Sequence, residues 1–142
     1  MRHNTGFTIL ELMATMALIG VLTAIAYPSY VAQITKGRRA EAVAALLKAA
    51  LKEEKYFSDH GAYTSNMTQL GFSTDPATTE HGFYQFDATV PNGGQSFVLT
   101  ATRLGVQVSD TECGDLTYSN LSIRSAQNAS AADPATKCWS RN

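Results

Sequence analysis

Residues 7–27 read FTILELMATMALIGVLTAIAY, an apolar run whose one charged side chain is that of Glu11. As a helix rising about 1.5 Å per residue, the run is roughly 30 Å long, which matches the hydrocarbon core of a membrane. A cleaved secretory signal is the alternative, but such a signal has a basic start, an apolar stretch of about 7–15 residues and an A-x-A-like site. Because the start carries only Arg2 and His3 and no clear site of that kind follows, a retained membrane helix is the better interpretation.

Glu11 is unusual in such a helix. An ionisable residue within a membrane span is costly and is expected to have a partner. No Lys, Arg or His lies within residues 7–27, so we expect the partner on another chain. Cleavage after Gly6 would create a suitable partner, the free amine of Phe7.

The leader MRHNTG followed by FTILELMATMALIGVLTAIAYPSY resembles the class III leader and N-terminal helix of type IV pilins. In that family a short leader ends in Gly and is followed by Phe, two or three apolar or hydroxyl residues, and Leu-Glu. Gly6, Phe7 and Glu11 are at these positions, and Pro28 lies where the family's helix usually carries a proline. The resemblance implies cleavage between Gly6 and Phe7 by a prepilin peptidase and N-methylation of Phe7.

The resemblance divides the chain into a leader (1–6), a hydrophobic membrane and assembly helix (7–30), and an amphipathic helix with a globular pilin head (31–142). Subunits would leave the membrane by packing their apolar helices together, which is stabilised by burial of apolar surface. Glu11 would set the axial register against the amine of a neighbouring Phe7. We expect Pro28 to kink the helix near residues 24–27, because proline removes a backbone donor.

The helical pattern continues beyond Pro28 with apolar residues at spacings of three and four, namely Val43, Leu46, Leu47, Ala50, Leu51 and Phe57. The polar residues Lys48, Lys52, Glu53 and Lys55 fall mostly on the other side. The pattern predicts a two-faced helix that ends near Ser58, with Gly61 as a stop signal. Earlier in the helix, Lys36, Arg38 and Arg39 form a basic cluster, which is either a solvated face or a contact with lipid headgroups or an acidic patch on another subunit.

Alternating residues predict a β-hairpin after the helix. In residues 83–90 the side chains of Tyr84, Phe86, Ala88 and Val90 share one face; the turn signal PNGG follows, and Phe97, Leu99 and Ala101 alternate in residues 96–102. A further strand is expected around residues 115–118, with weaker pairing around 121–124. The sum is an α+β fold in which an antiparallel sheet of about four strands packs on the long helix.

Cys113 and Cys138 are the two cysteines of the chain. They lack the spacing of a metal site, and in an exported domain two cysteines most simply form one disulfide. The expected loop of 24 intervening residues matches the disulfide-bounded C-terminal region of pilins. Its closure would contribute about 3–4 kcal/mol in the chain-entropy model.

The composition and the motifs exclude several classes of function. With 11 Lys and Arg against 12 Asp and Glu, the chain is no strongly basic polymer binder, and its aromatic fraction of 9% argues against disorder. His60 and His81 lie in loop-like stretches, and neither stands beside a Ser or Cys motif. No catalytic motif, phosphate-binding loop or metal-ligand cluster is present, so we expect a non-enzyme without metal or cofactor.

The sequence therefore predicts a structural subunit of a type IV pilus, in the bacterial inner membrane before assembly and in an extracellular pilus (fimbrium) afterwards. Its expected partners are other pilin subunits, prepilin peptidase, the inner-membrane pilus assembly machinery and, before assembly, membrane lipid. The pilus would serve adhesion, twitching motility or DNA uptake. The alternatives are a type II secretion pseudopilin and a minor-pilin receptor for DNA or surfaces, with candidate DNA contacts at Arg103, Arg124, Lys137 and Arg141.

Overall fold

The computed structural model describes residues 7–128 and 135–140. The leader (1–6) and Arg141 lie outside the described residues. Two compact units are present, Met1–Ile34 and Thr35–Asn142, and the second is called the head below.

A single long helix, α1, runs from Ile9 to His60. It is helical through Pro28, and it ends two residues after the predicted Ser58. The stop signal is confirmed: Gly61 has a φ of +74°, a conformation that glycine adopts without steric cost, and its N–H donates to the carbonyl of Phe57 at 2.7 Å.

The head contains a five-stranded sheet in the order β1-β2-β3-β4-β5, with every pair antiparallel. The strands are β1 (Ala77–Thr78), β2 (Tyr84–Thr89), β3 (Val98–Arg103), β4 (Leu116–Ser119) and β5 (Arg124–Ala126). The predicted hairpin is confirmed as β2 and β3, which pair from Tyr84 opposite Arg103 to Thr89 opposite Val98. The strand beyond the expected four is β1, whose two residues are too few to show an alternating pattern.

The core lies between α1 and one face of the sheet. The alternation predicted for the hairpin is confirmed, because Tyr84, Phe86, Ala88, Phe97, Leu99 and Ala101 are all buried. From α1 the buried residues are Arg39, Ala42, Leu46, Ala49, Ala50 and Glu53.

The predicted faces of α1 need two corrections, because Leu51 is 74% exposed and Glu53 is fully buried. Positions 42, 46, 49 and 53 form one stripe of the helix, and Leu51 lies about 100° around the axis from Ala50. The alanines in the stripe are small, so the sheet can lie close to the helix. Glu53 also lies in this stripe, where its Oε2 accepts the N–H of Thr64, in the loop that follows α1.

Cys113 and Cys138 form the predicted disulfide, with 5.6 Å between their Cα atoms. Cys138 belongs to a short helix, α2 (Ala135–Trp139). Next to it, the indole N–H of Trp139 donates to the carbonyl of Ser125 in β5 at 2.9 Å. The disulfide and this hydrogen bond attach α2 to the sheet.

Candidate assembly and contact surfaces

Thr8 and Glu11 form a capping box at the start of α1. The amide and the hydroxyl of Thr8 donate to Oε2 of Glu11 at 3.0 and 2.9 Å, and the amide of Glu11 donates to the Thr8 hydroxyl at 3.2 Å. Glu11 thus has a partner within its own span, contrary to the expectation from the missing cations. The signal was present in the sequence as T-x-x-E before an apolar run.

The apolar part of α1 is exposed along its length. Phe7 is 93% exposed, and Leu10, Leu18 and Ile25 are between 65% and 77% exposed. Among the described residues, α1 is the one helix long and apolar enough to cross a membrane. Because apolar surface of this extent is unstable in water, it requires lipid or other apolar helices around it.

The basic cluster expected on α1 is divided in the structure, which corrects the prediction for Arg39. Arg39 is buried, and its guanidinium forms two hydrogen bonds to Asp110 and one of 2.6 Å to Oε2 of Glu112. Arg38 lies 4.0 Å from the centre of the Phe83 ring. Lys36 is exposed. The acidic partner of Arg39 is therefore in its own chain, more than seventy residues away.

The Arg39 ion pair continues into the disulfide region. Lys137 of α2 pairs with Glu112 at 2.8 Å, and Oδ1 of Asp110 accepts the N–H of Cys113 at 3.3 Å. The hydrogen bonds from Lys137 and from Arg39, one each, lower the pKa of Glu112 to about 2. Helix α1 is thereby linked to both ends of the disulfide-bounded segment.

On the sheet side, the side-chain amide of Gln107 joins this network. It donates to Oδ2 of Asp110 at 3.2 Å and to the hydroxyl of Tyr84 at 3.1 Å. Burial is the main reason why the pKa of Tyr84 rises to about 12. These side chains form one hydrogen-bonded network that we call the Arg39 network: Arg39, Tyr84, Gln107, Asp110 and Glu112.

One grouping in the described residues, Asp110, Glu112 and Cys113, brings together atoms that could ligate a metal. Cys113 is in the disulfide, and both carboxylates accept hydrogen bonds from Arg39. The guanidinium already supplies a positive charge to both carboxylates.

The candidate DNA contacts differ in their exposure and in the hydrogen bonds that they make within the head. The Arg103 guanidinium donates to Oδ1 of Asp115 at 2.9 Å and to the carbonyl of Asp110 at 2.6 Å. Arg124 is exposed, with its guanidinium 5.8 Å from the centre of the Trp139 ring. Lys137 is also exposed, and it pairs with Glu112. Arg124 of β5 thus lies beside α2, which carries Lys137, whereas the guanidinium of Arg103 is hydrogen-bonded within the head.

Glu53 is a second buried charged group that the sequence pattern did not indicate. Its Oε2 accepts the N–H of Thr64 at 3.2 Å, while its Oε1 has no hydrogen-bond partner among the described residues. Burial raises the pKa of this carboxyl above its usual value. The group connects α1 to the loop that precedes the sheet.

Two family models match the chain. Residues 28–117 match the family described as "Type IV minor pilin ComP, DNA uptake sequence receptor", and residues 1–27 match the prokaryotic N-terminal methylation motif. The first match covers more than half of the chain and includes the amphipathic part of α1 and β1 to β3.

Known pilins are similar to the chain in sequence and in fold. The type IV major pilin protein PilA of Myxococcus xanthus is 30% identical over 132 residues, which are 93% of this chain and 56% of the relative. PilE1 of Neisseria gonorrhoeae is 35% identical over 107 residues, 74% of this chain and 61% of the relative. The chain thus spans little more than half the length of these two relatives.

Among solved structures, a type IV pilin from Shewanella oneidensis superimposes with a TM-score of 0.53 at 26% identity, covering 75% of this chain and 98% of that one. The long helix with its apolar first half, the antiparallel sheet, the C-terminal disulfide and these matches agree with each other. The chain belongs to the type IV pilin family.

Proposed function

We propose that the chain is a structural, non-enzymatic subunit of a type IV pilus, cleaved between Gly6 and Phe7 and N-methylated on Phe7. The observation that carries the proposal is the exposed apolar half of α1, directly preceded by a methylation-motif leader. Prepilin peptidase and the inner-membrane assembly machinery are the partners that this processing requires. Adhesion, twitching motility or DNA uptake would follow from the filament as a whole.

Assembly would exchange lipid contacts for contacts between subunits. The large apolar side chains of residues 7–31 are between 42% and 93% exposed, so much of their surface is available to neighbouring helices. Apolar burial contributes about 25 cal/mol per Å², and a bundle of such helices would be the main source of cohesion. This mode of assembly is shared with a type II secretion pseudopilin, which stays an alternative.

In this proposal Glu11 has two successive partners. Before assembly its carboxylate accepts hydrogen bonds from Thr8. In the filament the carboxylate would also face the methylated amine of Phe7 on a neighbouring subunit and so set the axial register. A charge buried among apolar helices favours the one register in which it is paired.

Three substitutions separate the register role from helix capping. Glu11→Gln keeps the length of the side chain and an oxygen for the Thr8 hydrogen bonds, but removes the charge. Thr8→Val removes the hydroxyl of the capping box and keeps the charge, and Glu11→Ala removes both functions. We expect Glu11→Gln and Glu11→Ala to reduce the amount of sheared filament strongly, and Thr8→Val to reduce it little. Wild-type filament yield from Glu11→Gln would show that the charge does not set the register.

A second role, contact with DNA, is favoured by one observation, the match of residues 28–117 to a minor-pilin family described as a DNA uptake sequence receptor. The exposed Arg124, beside α2, and Lys137, within α2, are the side chains best placed for phosphate contacts, with Arg141 as a further candidate. Trp139 is buried, so stacking of a base on its face would require a local rearrangement.

Salt-dependent binding to duplex DNA tests this second role. Phosphate contacts release counterions, so affinity should fall as salt rises, and each lost contact should make that dependence shallower. We expect Arg124→Ala to weaken binding and Lys48→Ala, at an exposed position of α1, to leave it unchanged. Binding that is absent at low salt would remove the DNA role and leave the pilus subunit role intact.

A further inference from the structure

A cleft lies between the last turns of α1 and the loop that follows the helix, and neither pilus assembly nor DNA contact uses it. Its volume is about 580 Å³, within the roughly 300–1,000 Å³ that is usual for small-molecule sites. Residues 69–71 of the loop line one side. The other side is one face of α1, because the residues that line it recur at spacings of three and four: Lys52, Lys55, Tyr56, Asp59 and His60. We call this site the α1 cleft.

Both walls of the α1 cleft are held in place by contacts within the head. The ammonium of Lys52 donates to the carbonyl of Leu70 at 2.6 Å and lies 4.6 Å from the centre of the Phe72 ring. The hydroxyl of Tyr56 donates to Oε1 of Gln69 at 3.3 Å. Leu70 itself is buried in the core. The cleft is therefore preformed, and a ligand would not have to order its walls on binding.

The α1 cleft carries both donors and acceptors that the fold does not use. The ammonium of Lys55 and the carboxylate of Asp59 are exposed and have no hydrogen-bond or ion-pair partner among the described residues. The side-chain N–H groups of Gln69 are unused within the same residues, since only its Oε1 is hydrogen-bonded. Nδ1 of His60 lies 3.0 Å from the carbonyl of Tyr56, so in the neutral ring Nδ1 donates and Nε2 is left as an acceptor. The cleft thus offers two donors and two acceptors to a ligand.

The charges of the α1 cleft favour a neutral ligand over an anion. The ammonium of Lys52 is hydrogen-bonded to the carbonyls of Leu70 and Gly71. The positive charge of Lys55 is offset by that of Asp59, about one turn further along the same face of α1. A hydroxyl group both donates and accepts hydrogen bonds, so a ligand with several hydroxyl groups can use the donors and the acceptors together.

An aromatic surface lies beside these polar groups. The rings of Tyr56 and His60 are stacked, with 4.0 Å between their centres and 12° between their planes. His60 is exposed, so the face of its ring that points away from Tyr56 is accessible. A sugar ring presents a face of C–H groups, and these groups are attracted to the negative face of an aromatic ring. Hydroxyl groups and a C–H face together are the chemistry of a saccharide.

We propose that the α1 cleft binds a neutral saccharide, with one sugar ring against the exposed face of His60 and its hydroxyl groups bonded to Lys55, Asp59 and Gln69. The ligand is recognised by its hydroxyl groups and not by its charge. The site uses neither the apolar half of α1 nor the basic residues near α2. Saccharide binding is therefore separate from pilus assembly and from the DNA role.

An array of neutral and acidic oligosaccharides, probed with the labelled full chain in a detergent without a sugar headgroup, tests the proposal. We expect the chain to bind neutral members of the array. Titration with the neutral oligosaccharide that binds most tightly then measures the effect of each substitution. Asp59→Ala should weaken binding about tenfold or more, because a hydrogen bond to a charged group is lost. His60→Ala should weaken it as well, and His60→Phe, which keeps an aromatic ring, should weaken it less.

The matched control is Lys48→Ala, at an exposed position of α1 outside the cleft, and it should bind like the wild type. Asp59 and His60 are exposed, so their substitution should leave urea unfolding of the head unchanged, and lost binding would not reflect lost folding. Asp59→Ala should also enter sheared filaments like the wild type. Failure of saccharide binding would therefore leave the proposed pilus function standing.

Three outcomes would overturn the saccharide site. The first is absence of binding to every neutral oligosaccharide on the array. The second is binding only to sialylated, sulfated or phosphorylated members with loss of that binding in Lys55→Ala, which would indicate an anion site instead. The third is saccharide binding that persists unchanged in both Asp59→Ala and His60→Ala, which would place the binding site elsewhere on the chain.

Discussion

Arg39 and Glu53 are charged side chains of α1 that are buried in the head, and they are accommodated in different ways. The positive charge of Arg39 is paired with two carboxylates, and one of these carboxylates is itself buried. Glu53 has one backbone N–H and no cation among its described partners. A buried charge with a partner is costly to disrupt, whereas a buried carboxyl without one is costly to ionise.

Loss of the Arg39 guanidinium should destabilise the head strongly. Arg39→Met keeps most of the side-chain bulk but leaves Asp110 buried without its cation, and breaking such a pair costs about 3–5 kcal/mol. Urea unfolding of the full chain in detergent measures the loss. Lys48→Met, at an exposed position of the same helix, is the control and should change stability by about 0.5 kcal/mol or less. Equal effects of the two substitutions would show that the pair is not important for stability.

Glu53 should make the head less stable as the pH rises. The folded protein raises the pKa of this carboxyl above its unfolded value, so its contribution is most favourable below that unfolded value and is lost as the pH rises through the folded one. Glu53→Gln cannot ionise and should reduce the decline in stability as the pH rises above the unfolded pKa of the carboxyl.

Glu112 does not interfere with that measurement. Its pKa is lowered to about 2, so the stability that it contributes is lost only as the pH falls from its unfolded value towards about 2. Urea unfolding of wild type and Glu53→Gln at several pH values measures the difference. Parallel pH profiles for the two proteins would contradict the role of Glu53.

At the scale of elements, the packing of α1 on the sheet depends on which of two neighbouring helix faces is buried. Leu46 is fully buried, whereas Leu51 is 74% exposed, although both belong to the same apolar pattern. The small residues Ala42, Ala49 and Ala50 lie in the stripe with Leu46 and allow close contact with the sheet.

Substitution of these two leucines should change the free energy of unfolding by very different amounts. Leu46→Ala removes buried methyl groups and should cost about 2–5 kcal/mol, while Leu51→Ala should cost about 0.5 kcal/mol or less. The midpoint of urea unfolding for each variant provides the comparison. If Leu51→Ala proved as destabilising as Leu46→Ala, the helix would be packed through a different face.

The elements show what the sequence can predict and where local patterns stop being informative. Alternation over six or more residues was sufficient to predict β2 and β3, and helical periodicity was sufficient for α1. Periodicity alone did not distinguish Leu51 from Glu53, because the buried face was decided by the sheet and by the N–H of Thr64. Two-residue β1 carries no periodic signal at all.

The features of the candidate site also differ in whether a local sequence pattern indicates them. The leader, Phe7, Glu11 and the disulfide were read from local motifs and from the cysteine count. The capping box of Thr8 and Glu11 is also a local motif, because its two residues are three positions apart in the sequence. By contrast, the bond between Arg39 and Asp110 joins positions 71 residues apart, and nothing near Arg39 in the sequence indicates an acidic partner in the fold.

For the whole molecule, the two compact units carry the two parts of the proposed function. The unit before Thr35 presents an apolar helix that requires lipid or other helices around it. The head is held together by the α1–sheet core, the Arg39 network and the disulfide. In the proposed filament, the apolar helix would hold the subunits together and the head would form the exposed surface.

The most direct test of the pilin assignment as a functional claim is the intact mass of this chain in filaments sheared from the cell surface. We expect a chain that lacks residues 1–6, carries one added methyl group and is two hydrogens lighter because of the Cys113–Cys138 disulfide. That result would support cleavage, methylation and export together. An uncut chain found in the membrane and absent from filaments would contradict the claim that the protein is a pilus subunit.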